Sequence, residues 1–203
     1  MKHRTYLVGI NWLKSVFRAF RYSFTRQPNY LWSRGFFKVS DWAGTSNFLY
    51  PAYPTRYRVK SLNRLKEKSG IIWLRLGSDP PKPEFDNDAP GDLVLFAHQI
   101  IGNLGGKTVL ITTDGDRSIP SGLPKGVADK ILSDANIVAW YTQNLENPIK
   151  HEKIPPVPIG IDFHTRLNGK LISPNKKANI LKNAVHNSSN TEQRIFRIWR
   201  RIE

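Results

Sequence analysis

The sequence predicts an α/β domain: a mainly parallel sheet of three or four strands with flanking helices, carrying basic N- and C-terminal extensions. Three observations predict it. Short continuous apolar runs bounded by glycine or turn residues recur through the middle of the chain, the pattern of strands buried on both faces. Between them lie segments of about ten to fifteen residues with apolar positions at helical spacing, as βαβ units require. Charge divides the chain at the same places. Residues 1–68 hold 14 Lys/Arg against 2 Asp/Glu, residues 69–167 hold 9 against 12, and residues 168–203 hold 8 against 2, giving net charges of +12, −3 and +6.

The elements follow in order. "GIIWLRLG" (70–77) reads as the first buried strand. In "PGDLVLFAHQIIGNLGG" (90–106), Leu93, Phe96, Ile100 and Leu104 fall at helical spacing, with Asp92 as N-cap and Gly105 as the stop. "KTVLITT" (107–113) is a second strand, "PKGVADKILSDA" (124–135) a helix with proline in its first turn, and "NIVAWYTQN" (136–144) a third strand. "PPVPIGID" (155–162) is extended and a candidate fourth strand. In the basic arms, Leu13, Val16, Phe17, Phe20 and Phe24 share one face of a predicted helix. Residues 34–60 mix aromatics and bases without a period, and 191–202 place Ile195, Ile198, Trp199 and Ile202 in a stripe opposite arginines. The expected organisation is therefore an aromatic-rich extension over 1–68, an α/β domain over 69–167 and a helical tail over 168–203.

Composition removes several function classes. With 39% apolar and 11% aromatic residues, the chain of 203 residues has ample material for a core. No cysteine occurs, so no thiolate nucleophile, thiolate metal site or disulfide is available, which fits a reducing, cytoplasmic compartment. The apolar runs fall short of the roughly 18 residues that span a bilayer, and a secretion signal is not expected. There is no P-loop, no G-x-G-x-x-G after a strand and no G-x-S-x-G elbow.

The chemistry concentrates at predicted strand exits. Ligands of parallel α/β sheets bind beyond the carboxyl ends of the strands. Asp114 and Asp116 follow one strand there, Gln143 and Asn144 the next, and Asp162 and His164 the extended segment. Asp-Gly-Asp has two readings: a carboxylate pair for Mg²⁺ or Mn²⁺ with substrate phosphates, or turn chemistry in which aspartate bonds backbone amides and glycine supplies a positive φ. Asp162 and His164, at alternate positions of an extended chain, point the same way and form a candidate carboxylate-oriented general base; a surface-loop histidine is the alternative.

Taken in order, "IWLRLGSD", "DLVLFAHQI", "VLITTDGDRSIPSGLP", "ILSDANIVAWYTQN" and "IPPVPIGIDFHT" resemble the N-terminal part of exostosin-like glycosyltransferases, microbial and algal sugar transferases with two Rossmann-like domains. The resemblance covers roughly residues 70–165, about half the chain. It implies a Rossmann-like fold and transfer of a sugar from a nucleotide-sugar donor to a glycan acceptor across a cleft. It also implies Asp114, Asp116 and His164 as catalytic candidates and Ser118, Gln143, Asn144 and Asp162 as substrate-binding groups on the acceptor side. No metal is required on that reading, which is preferred over the Mg²⁺ or Mn²⁺ one. Such enzymes place most donor-binding residues in a second domain of similar size, and about forty residues follow Thr165 here. A truncated relative, half of a split enzyme or a non-catalytic remnant is therefore expected.

The arms carry a rival reading. A basic module with aromatics among its bases suits single-stranded nucleic acid, where bases stack on rings and Lys/Arg follow phosphate. The helix expected near residues 12–24 equally suits an anionic membrane surface, or simply packs on the sheet.

Overall fold

In a computed structural model, the structure describes residues 30–44, 55–77, 91–146, 151–161, 163 and 172–188. The helices expected over 12–24 and 191–202 lie outside them. Four strands form one parallel sheet in the order β1 (Trp42–Ala43), β2 (Gly70–Gly77), β3 (Thr108–Gly115) and β4 (Ile137–Thr142). The fold is α/β and Rossmann-like in its repeated strand–helix–strand units.

The connections carry α2 (Thr55–Asn63), α3 (Asp92–Gln99) and α4 (Val127–Ser133), preceded by a single-turn helix α1 (Phe36–Val39) and followed by α5 (Pro174–His186). Because crossovers between parallel strands are right-handed and the strand order here never reverses, α2, α3 and α4 lie side by side on one face. The main core sits between them and the sheet. Leu62 and Leu65 come from α2 and the turn after it, Ile72, Leu74 and Leu76 from β2, Phe96 from α3 and Ile100 from its C-cap, Ile131 from α4 and Trp140 from β4.

The opposite face is closed differently. Fully buried Trp73 meets the Phe37 ring of α1 edge-on at 6.1 Å. Beside it Trp32, Phe163 and Ala178 of α5 form a second small cluster. Successive threonines of β3 serve the two faces. Trp140 Nε1 donates to Thr112 Oγ1 at 2.9 Å, Thr112 Oγ1 donates to Thr142 Oγ1 at 2.7 Å, and Thr142 Oγ1 donates to the Gln143 carbonyl at 3.0 Å. On the other side Trp73 Nε1 donates to Thr113 Oγ1 at 2.8 Å, and that hydroxyl donates to the Ser33 carbonyl. The buried indole N–H groups of Trp73 and Trp140 thus both have an acceptor.

Several boundaries differ from those expected. The helix predicted over 90–106 is capped by Gly91, without a side-chain hydrogen bond, and ends at Gln99. Leu93, Phe96, Ile100 and Leu104 are all buried nonetheless. Gly105 is needed for close approach: a Cβ there would stand 2.2 Å from the Glu67 carbonyl oxygen. In the next helix Pro124 precedes the first turn, which starts after Gly126 at φ +82°. The fourth strand is β1, whereas the segment from 155 onward touches β4 through an isolated bridge, Thr142 to Pro156, and pairs with the N-terminal segment through another, Trp32 to Gly160. Part of the expected N-terminal extension is integral to the domain, since β1 pairs with β2 and Leu62 and Leu65 join the core.

Two stability predictions follow from these contacts. Thr112→Val strands the Trp140 N–H and should cost about 1–3 kcal/mol in urea unfolding. Gly105→Ala forces the Glu67 carbonyl to move and should cost a similar amount, about 1–3 kcal/mol, as overpacking does.

Candidate functional site at the carboxyl edge

β3 ends in Asp114 and Gly115, and Asp114 is the centre of the site. Strict alternation would place its side chain with Leu110 and Thr112 on the helix-bearing face. Its φ is +62°, a left-handed conformation that aspartate tolerates better than most residues, and its carboxylate instead meets arginines. Arg34 Nε lies 2.8 Å from Oδ1 and Arg75 Nε 2.8 Å from Oδ2. The Arg75 N–H is aligned on the Asp114 carbonyl oxygen at 3.1 Å, so its contact with Oδ2 is primarily Coulombic. The Asp114 side chain is only 3% exposed, against 16% and 17% for the two arginines.

The end of β4 is tied to the same place. Gln143, buried, accepts from the Asp114 N–H through Oε1 at 2.9 Å and donates through Nε2 to the Ile159 carbonyl at 3.2 Å. Asn144, with φ +53°, donates through Nδ2 to the Gly115 carbonyl at 2.9 Å and accepts from the Ile119 N–H at 3.0 Å. Three of the residues expected at this rim therefore form one connected unit.

Others are arranged around it. Asp116 is exposed, with no hydrogen-bond or ion-pair partner among the described residues. Ser118 is half-buried and its carbonyl accepts from the Gly122 N–H at 3.1 Å, closing the loop after β3. That loop is pinned to the β4 exit: Glu146 accepts from the Ser121 N–H at 3.0 Å and from its hydroxyl at 2.5 Å, and donates its own N–H to the Ile119 carbonyl. The Ser121 hydroxyl and amide hold the Glu146 carboxyl below its ordinary value of 4.5. Asp162 and His164 lie outside the described residues. Phe163 between them is buried against Trp32, ring centroids 6.0 Å apart.

Two charged residues of the site went unanticipated. Arg75 interrupts the apolar run "GIIWLRLG", and a charge inside a strand buried on both faces calls for a partner; that signal was readable. Arg34 carries no comparable mark, because its partner is 80 residues away.

A Rossmann-like parallel α/β domain with a braced polar unit on its carboxyl edge is the class that fold and site define. Comparison with protein-family models, curated proteins and solved structures gives no match to this chain. Among the described residues, no helix is long and apolar enough to cross a membrane, and no cluster of three or more His, Cys, Asp or Glu is placed to hold a metal.

The two aspartates should behave differently under mutation. Asp114→Asn leaves two arginines facing a neutral group and should cost on the order of 3 kcal/mol, as breaking a buried ion pair does, whereas Asp116→Asn should stay within about 0.5 kcal/mol; chemical denaturation reads both. The Glu146 contact has a defined pH sense. A depressed carboxyl value means that its stabilisation is present above the ordinary 4.5 and is lost as the pH falls through the lower folded-state value. The Ser121 amide resonance should therefore titrate with a midpoint below 4.5, and Glu146→Gln should abolish that titration.

Proposed function

We propose that this domain carries the acceptor side of an exostosin-like glycosyltransferase, or of a relative of one that binds without turnover. The observation that supports it most is the joining of Asp114, Gln143 and Asn144 into one unit at the carboxyl edge of a parallel sheet, with exposed Asp116 next to it. That edge is where α/β sheets place ligands.

Roles divide by accessibility. Asp114 and Gln143 are occupied by protein groups and act as positioning residues. Asp116 is the carboxylate open to a ligand, with Ser118 on the same loop. In transfer, an acceptor hydroxyl attacks the anomeric carbon of a nucleotide sugar, its proton passes to Asp116, and the bond to the nucleoside diphosphate breaks. Asp162 and His164 remain candidates for the same acceptor side. Two guanidinium groups at 2.8 Å oppose a divalent cation at Asp114, which favours the metal-free version of the Asp-Gly-Asp pair.

The net charge of +15 supports a second reading, a non-catalytic basic module for nucleic acid. Titration of the chain with nucleotide sugars and oligosaccharides, followed by amide chemical shifts, separates the two. The transferase reading expects saturable shifts around Asp116 and Ser118 that weaken about ten-fold or more in Asp116→Asn, on the scale of a hydrogen bond to a charged group. A nucleic-acid module instead shows affinity falling with salt at a log–log slope of about −0.7 per phosphate on single strands, with no effect of Asp116→Asn. The absence of any saturable sugar binding would refute the transferase reading.

A further inference from the structure

The helix α5 is half anchored and half bare. Ser173 caps it, accepting from the Lys176 N–H at 3.3 Å, with Pro174 in the first turn. Pro174, Lys177 and Ala178 are buried, and Ala178 joins the Trp32 and Phe163 cluster. At about 100° per residue, the apolar stripe that begins with these residues continues through Leu181, Ala184 and Val185, with Ile180 at its margin. Among the described residues the cover thins beyond the first turns, leaving Leu181 half-buried. Ile180 is 44% exposed and Val185 65%, and Ala184 is also exposed.

The charges beside the bare stripe favour one kind of occupant. Exposed Lys176 and Lys182 flank it on opposite sides, His186 closes the last turn, and the helix contains no Asp or Glu. Asn175, Asn179 and Asn183 occupy the far side. Apolar residues between flanking lysines, backed by a polar surface, are the arrangement of helices that lie in the headgroup layer. Lysine stems there run along apolar surface while the ammonium groups stay at lipid phosphates. The surrounding charge has the matching sign, since residues 168–203 hold 8 Lys/Arg against 2 Asp/Glu.

We propose that the distal half of α5 is a docking element for an anionic lipid surface, with Ile180, Leu181 and Val185 entering the interface and Lys176 and Lys182 at the phosphates. This stands independently of the sugar chemistry.

The test is co-sedimentation of the full chain with vesicles of phosphatidylcholine alone and of phosphatidylcholine mixed with phosphatidylserine. Binding is expected to the anionic vesicles only, and to weaken as the screening length falls from about 10 Å at 0.1 M salt to about 3 Å at 1 M. The decisive variant is Ile180→Ser with Val185→Ser, which keeps every charge. Both positions are exposed, so circular dichroism should be unchanged, while vesicle affinity should fall about ten-fold or more for loss of two interfacial apolar side chains. Unchanged binding by that variant would mean that charge alone holds the protein to lipid, and the proposal fails. It fails equally if neutral vesicles bind as well as anionic ones. A dimer dissociated by the double serine variant, without vesicle binding by the wild type, would give the stripe to a second copy of the chain and also overturn it.

Discussion

The carboxylate of Asp114 is the constraint on which the carboxyl edge depends. A charge buried this deeply is costly unless opposed by others, and the opposing groups come from distant parts of the chain, Arg34 before the first strand and Arg75 on β2. To meet them the backbone adopts a left-handed turn at its own position, and Gln143 braces the displaced peptide from the neighbouring strand. One side chain therefore fixes the relative positions of β2, β3, β4 and the incoming N-terminal segment. Asp116 leaves from a base that is already set, which is what presentation of a single open carboxylate requires.

Behind that edge, β3 divides its hydrogen bonding between the two sides of the sheet. Thr112 and Thr113 are adjacent, point oppositely and each accept one buried indole N–H. The relay from Trp140 through Thr112 and Thr142 to the Gln143 carbonyl runs in one direction, every hydroxyl both accepting and donating. Such a chain leaves no polar atom of its members unsatisfied in the core, the condition under which buried polar groups specify an arrangement instead of weakening it. It also ends at the residue that braces Asp114, so core and rim share a support.

Local periodicity made the sheet legible: "GIIWLRLG" spans β2 residue for residue, and the apolar positions of α3 are buried as their spacing predicts. Helix ends were less legible because backbone geometry decides them. Gly91 caps α3 although Asp92 is the better side-chain capper, and the Ile100 and Ile101 N–H groups both turn onto the Phe96 carbonyl. The start of α5 carries the Ser-Pro signature of a capped helix at 173–174, a local signal that went unused. At the site, the spacing of Asp114, Gln143 and Asn144 against strand ends located them on a common edge. Their bonding partners could not be read, because Arg34 to Asp114 and Gln143 to Ile159 are tertiary contacts without a local pattern.

The pairing of Trp32 with Gly160 and Phe163 has a consequence for how the chain is made. The strands of the sheet lie in the order of their synthesis, so each can dock on its predecessor as it leaves the ribosome. The second face has no such sequence, because its cover joins one of the earliest described residues to one of the last. Trp32 must therefore wait, with its face of the sheet unsealed, until Phe163 has emerged. Contacts this distant along the chain form late because their loop-closure entropy has to be met first. During that interval the Trp32 indole lacks the Phe163 ring that it meets edge-on at 6.0 Å.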